Sequence, residues 1–394
     1  MRDIQPPTSP FTPGYSKPPL VFGGHEQDLE ELRQVFQTGD FGENHTVLLS
    51  GLRGAGKTAM LYELRDAALE NGWMAIHDDA QRGLISRMMD TAIPDLINKL
   101  NKTQRRRLSS LGIWHFNAEF QITDTSRPGR PLLRNDLTAL ATADSHRGVL
   151  ITIDEVTSGR VRMQEVSRLA MEVSHAIGNR APVMLVFAGI KVDLDALLDG
   201  DQTTFLRRSR MVDFRLLHPD AVRHVLVETA RRGGRSFEPE ALDHLLRVSQ
   251  GYPYLVQLLG DYAWRKTPDS EVISLEDAQH AQRKGVDAVL TRVISRAYED
   301  LSDVDRRIVE AMAEDDGRTR VTHLAERLGK TTGYLNVYKK RLVDSGYIEA
   351  EGRHHVRFSL PYLRDYIRAM SRTGDDDGPA PGISPWEAYP PPPL

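Results

Sequence analysis

The chain has 394 residues, too many for one ordinary hydrophobic core, so two or three domains are expected. Its 40% apolar and 27% charged residues are the balance of a globular protein, and a formal net charge of -4 excludes nucleic-acid binding by bulk positive charge. Cysteine is absent, which excludes disulfides, thiolate metal sites and a cysteine nucleophile, and fits a reducing, cytoplasmic setting.

Residues 1–19 are proline-rich and are expected to be flexible. From 20 to 217 short apolar runs alternate with helical periodicity. Val47–Leu49, Trp73–Ile76, Val149–Ile153, Val183–Ala188 and Met211–Leu216 read as strands. Segments 58–71, 81–100, 132–144 and 160–178 read as the intervening helices, with Gly72 and Gly178 as stops. The unbroken runs VLITI and VMLVF suit strands buried on both faces, so the expected class is α/β with a doubly wound parallel sheet. The stretch 101–131 reads as an inserted strand or hairpin without an assigned role. The longest apolar run, VMLVFAGI at 183–190, is far short of the roughly 20 residues that a membrane span needs, and no signal-peptide pattern opens the chain, so no membrane partner is expected.

After Pro219 the pattern is helical only, to about residue 299. Pro219 and Pro239 suit first helical turns, Gly233 and Gly251 suit ends, and SLED at 274–277 is a capping box. A third unit spans 300–371, and 372–394 is an acidic, proline-rich tail expected to be flexible.

The chemistry is carried by SGLRGAGKTAM at 50–60. Gly51, Gly56, Lys57 and Thr58 fill the pattern G-x-x-x-x-G-K-[ST], following a strand and opening a helix. Glycines let backbone amides converge on a β-phosphate, and Arg53, Gly54, Ala55 and Ala59 supply the neighbouring backbone. Lys57 is positioned to neutralise the β- and γ-phosphates, while the Thr58 hydroxyl is a ligand for Mg²⁺. The partner signal is GVLITIDEV, an apolar strand ending in two acids. Asp154 would hold Mg²⁺, mostly through water, and Glu155 would polarise the attacking water. The expected cofactors are therefore ATP and Mg²⁺, and the expected activity is ATP hydrolysis.

GLRGAGKT with VLITIDEV resembles the AAA+ and related STAND ATPases, especially the group near archaeal origin-recognition proteins. The resemblance covers about 20–370 and implies a P-loop ATPase domain (20–217), a helical lid (218–299) and a winged helix (300–371). VFGGHEQDLEEL at 21–32 is similar to the family's box before the cradle, where the backbone lies against adenine. Gly24 and Glu26 match it, and His25 stands where arginine is usual. GYP at 251–253 resembles the STAND Gly-x-Pro element, which implies that Pro253 packs on the nucleotide. Arg207, Arg208 and Arg210 stand where AAA+ assemblies often carry an arginine finger, with a solvated face as the other reading, and an oligomer on nucleotide binding is implied. LVFAGI lacks the polar sensor residue expected after the fourth strand, and no lid arginine accompanies GYP; both favour a slow switch.

In the third unit, VTHLAERLG followed by KTTGYLNVYKKRLVDSG is a helix-turn-helix pattern with Gly329 in the turn, and YIEA and VRFSL would form a wing. Leu335, Tyr338, Lys339 and Leu342 share one helix face, turning Asn336, Val337, Lys340 and Arg341 outward. Asn336, Lys340 and Arg341, with Thr332, Arg353 and Arg357, are candidate contacts to double-stranded DNA, although Asp344 lies on the same face. Two functions stay open: a slow nucleotide-driven switch whose winged helix contacts DNA, with an initiator as its narrower form, and a non-catalytic adaptor whose winged helix docks a protein.

Overall fold

A computed structural model describes residues 8–14, 17–99, 132–142 and 147–372. The stretch 101–131, the first seven residues and the tail beyond 372 lie outside the described residues, with the expectations placed on them. The chain divides into two compact units, one of His25–Gly51 with Lys57–Phe214, the other of Met1–Gly24, Leu52–Gly56 and Arg215–Leu394.

The first of these is an α/β layer. Its strands β1 (Thr46–Gly51), β2 (Met74–Asp79), β3 (Val149–Val156), β4 (Val183–Gly189) and β5 (Arg210–Phe214) form one parallel sheet in the order β2-β3-β4-β1-β5. All seven residues of β4 are buried, as are all of β3 but Glu155, which is the pattern of strands covered on both faces. Helices α1 (Glu26–Thr38), α2 (Lys57–Glu70), α3 (Leu84–Arg87), α4 (Ile93–Lys99), α5 (Leu133–Ala141), α6 (Arg160–Gly178) and α7 (Lys191–Leu198) also belong to this unit. Where one helix over 81–100 was expected, a turn at 80–83 precedes α3, and a π-helical turn, Met88–Ala92, separates it from α4. Pro94 sits just beyond that turn; with no N–H to donate, it favours such a break in the helical ladder. Strands β2 and β3 run on to Asp79 and Val156, taking four acids, Asp78, Asp79, Asp154 and Glu155, into the sheet that the apolar runs alone do not include.

The second unit is mainly helical: α8 (Pro219–Arg232), α9 (Pro239–Ser249), α10 (Pro253–Lys266), α11 (Leu275–Val289), a π-helical turn (Leu290–Ile294) and α12 (Ser295–Glu299). The expectation of helices alone needs correcting. Ser236–Phe237 (β6) and Val272–Ile273 (β7) pair as two short parallel strands, too brief to show periodicity. The Ser274–Asp277 capping box is present at the start of α11. Residues 8–14 are not loose against this unit. Phe11 is buried at 2% exposure beside Trp264, the Thr12 amide donates to Gln257 Oε1 at 3.0 Å, and a Cβ on Gly260 would overlap the Phe11 ring.

Beyond Ser302 follow α13 (Asp303–Ala313), β8 (Thr319–Arg320), α14 (Val321–Arg327), α15 (Thr332–Asp344), β9 (Ile348–Glu351), β10 (His355–Phe358) and α16 (Leu363–Arg372). The strands form an antiparallel sheet, β8-β10-β9. Gly329 takes φ +60 after α14, and the Thr331 hydroxyl accepts from the Tyr334 amide at 3.2 Å to cap α15. One continuous core joins α8–α11 to α13–α16, and the buried Tyr362 hydroxyl donates to the Val248 carbonyl at 2.8 Å. The boundary expected near 299 thus falls inside a single packed body.

Candidate nucleotide-binding site

The loop after β1 is built for close approach. A Cβ on Gly51 would lie 2.5 Å from the Phe214 carbonyl oxygen. Gly54 and Gly56 take φ +73 and +100, which side-chain-bearing residues rarely adopt, and nothing lies within 4 Å of a Cβ added at Gly56. The loop closes with the Ala55 amide on the Leu52 carbonyl at 3.3 Å and passes into α2 at Lys57, so the positive end of that helix faces the cradle. Lys57 is 9% exposed, and its Nζ donates to the Gly51 carbonyl at 2.8 Å. A charged amine held over a backbone turn can bond phosphate oxygens there.

Opposite it stands the end of β3, with β4 between β1 and β3. Thr58 Oγ1 donates to Asp154 Oδ2 at 2.6 Å, and the Glu155 amide donates to Asp154 Oδ1 at 2.8 Å. Asp154 is 7% exposed, whereas Glu155 is exposed. Between Ile153 and Val156 the pairing with β4 skips a residue: Ile153 faces Phe187 and Val156 faces Gly189. This bulge re-aims two successive acids, leaving Glu155 at φ +53, a strained conformation of the kind that gathers at functional sites. The hydroxyl and carboxylate oxygens are the hard donors that Mg²⁺ takes. Among the described residues no three His, Cys, Asp or Glu side chains form a metal cluster.

Asp79, at the end of β2, is the register partner of Asp154. Burial, and then the facing Asp154 charge, push its carboxyl above the ordinary range. Its neighbour Asp78 is gripped by the Arg87 guanidinium at 2.9 to 3.2 Å. Sequence reasoning missed Asp79 because it ended this strand at Ile76. The signal was the alternation in IHDDA, which keeps His77 and Asp79 on one face.

Each unit holds some of the remaining residues singled out from the sequence. The His25 ring lies tilted by 30° against Phe214 with centroids 4.0 Å apart, and its Nδ1 lies 3.1 Å from Asp28 Oδ2. Arg210 is committed to α1, at 2.8 Å from Asp28 and 2.7 Å from Glu31, and is not a free finger. Arg207 and Arg208 are exposed on a 3-10 turn, Thr204–Arg208, and Arg207 Nε donates to the Leu198 carbonyl at 3.1 Å. In the second unit, Gly24 takes φ +94 against Leu217, and Pro253 opens α10. The residues flanking Pro253 meet the loop itself. The buried Tyr252 hydroxyl donates to the Arg53 carbonyl at 2.9 Å, and the Tyr254 amide donates to the Gly54 carbonyl at 3.2 Å. No motif in the sequence marks this clamp.

On α15, Leu335 and Leu342 are buried and Thr332, Asn336, Val337 and Lys340 are exposed, as the periodicity requires. Two arginines proposed for phosphates are engaged elsewhere. Arg341 reaches Asp305 at 2.5 Å and Ser302 at 3.1 Å, at the start of α13, and Arg357 pairs with Glu349 across the β9–β10 hairpin. Arg353 is exposed at the hairpin turn.

Residues 291–377 match a domain of unknown function, DUF8462. No curated protein matches the sequence. Solved structures match over nearly the whole chain. ORC2 of Aeropyrum pernix, in its ADPNP–ADP complexes, is 13% identical with a TM-score of 0.56, covering 92% of this chain and 98% of its own. The Walker-type ATPase of Pyrococcus abyssi is 14% identical with a TM-score of 0.57, covering 88% and 96%. The fold is that of the P-loop AAA+ ATPases. In this AAA+ fold the loop 50–58 and the end of β3 occupy the carboxyl edge of the parallel sheet, where open α/β sheets bind ligands. Among the described residues no helix is long and apolar enough to cross a membrane.

Proposed function

We propose that this protein binds Mg-ATP in the loop 50–58 and hydrolyses it slowly, as a switch whose output is the C-terminal module contacting double-stranded DNA. One observation supports the switch above others. Leu52–Gly56, the tip of the phosphate loop, packs as part of the same compact unit as α8–α16. Tyr252 and Tyr254 hold its carbonyls, and Leu52 packs so closely on Gly346, at the end of α15, that a Cβ there would overlap it. A phosphate that redirects the loop amides therefore has a direct route to the module. Lys57 would neutralise phosphate, Thr58 and Asp154 would hold the metal, and Glu155 would orient the attacking water. The bound Mg²⁺ would supply charge neutralisation of the phosphates. Slow turnover follows from β4, whose last residues, Ala188 and Gly189, offer no polar side chain to the γ-phosphate.

The module's helix–strand–helix–helix–hairpin order supports the winged-helix reading, in which the exposed Thr332, Asn336, Lys340 and Arg353 would contact phosphates and base edges. The test is duplex binding by fluorescence anisotropy with ATP, with ADP and without nucleotide. Affinity should differ between nucleotide states and fall steeply with salt. No binding at low salt in any state overturns the DNA reading. A second reading, a protein-docking module, is favoured by Val337, 69% exposed, and Tyr334 on the outer face of α15. It is also favoured by the engagement of Arg341 and Arg357 within the fold.

A further inference from the structure

We propose that Asp79 is a second carboxylate on the metal side of this site, holding a water of the magnesium hydration shell beside Asp154. The inference rests on the reading of loop 50–58 as a Mg-nucleotide site. Asp79 and Asp154 are register partners in neighbouring parallel strands, so their side chains leave the same face of the sheet. That face is the one under α2. Thr58 of α2 bonds Asp154, and one turn on, the Tyr62 ring lies 5.6 Å from His77, two residues before Asp79. Beneath the two carboxylates, His77 and Thr152 are joined at 2.9 Å, so the stripe is polar along its length.

The neighbouring cation is spent elsewhere. Arg87 binds the Asp78 carboxylate and only the backbone carbonyl of Asp79, at 3.1 Å. The Asp79 carboxylate keeps a marginal bond from Gln81 Nε2 at 3.5 Å. Two acids side by side at a strand edge repel unless a cation lies between them. Mg²⁺ retains several waters, and outer-shell carboxylates orient such waters.

The test is calorimetric titration of the full chain with ATP at stepped Mg²⁺ concentrations and in EDTA. In Asp79→Asn the half-saturating Mg²⁺ concentration should rise roughly ten- to a hundredfold, with ATP affinity in EDTA not reduced. Asp79→Glu should restore part of the shift, and Asp78→Asn, whose acid serves Arg87, should show none. Should Asp79→Asn fail to fold by circular dichroism, Asp79→Ser is held to the same criterion. A folded variant with the wild-type Mg²⁺ dependence overturns the inference and leaves the nucleotide site standing. A wild-type chain that binds no ATP overturns both.

Discussion

Lys57 is nearly buried, and its ammonium donates to the Gly51 carbonyl at the turn of the loop. Lys57→Ala should weaken ATP binding roughly ten- to a hundredfold, the worth of a charge-assisted bond of about 1.5–3 kcal/mol, without lowering the melting temperature. Calorimetry beside a thermal melt separates the two effects. Glu155→Gln tests the chemistry instead. Nucleotide affinity should hold while phosphate release drops about a hundredfold or more, as for loss of a general base; equal release by both proteins would favour the non-catalytic adaptor. The motif residues Gly51, Gly56, Lys57, Thr58, Asp154 and Glu155 were legible because phosphate chemistry demands those types in that order. Asp79 and the Tyr252 clamp were not, because their roles come from strand register and from packing between segments about two hundred residues apart.

Elements were legible where burial dictates them. The strand VMLVFAG is buried throughout, and its run of apolar residues announces this. The π-helical turn before Pro94 and the two-residue strands β6 and β7 carry too little periodicity to be read. So does the bulge in β3, which depends on the partner strand and sets the directions of Asp154 and Glu155. Arg210 fastens β5 to α1 through Asp28 and Glu31. Arg210→Ala should therefore cost about 1–2 kcal/mol in urea unfolding, since the acids are partly solvated. Gly54→Ala tests the loop tip: at φ +73, with its new Cβ 2.5 Å from the Tyr252 hydroxyl, it should break the bond to Arg53 and weaken ATP binding while the sheet stays folded.

Gly51, Lys57 and Thr58 belong to the sheet unit, and residues 52–56 to the unit that carries the C-terminal module. Composition could not reveal this, because a near-neutral chain with alternating runs says nothing about which body claims five residues of a loop. If the nucleotide acts through the tip, Tyr252→Phe should leave ATP binding nearly intact and reduce the difference in DNA affinity between ATP and ADP. Anisotropy titrations in both nucleotides check this, and an undiminished difference would mean that the output travels another way.

The most direct measurement is calorimetric titration of the full chain with Mg-ATP, wild type beside Lys57→Ala. Saturable heat with one nucleotide per chain, lost or strongly weakened in the variant, is the predicted result. A well-folded wild-type chain that gives no heat and no shift in melting temperature would contradict the nucleotide site and the switch built on it.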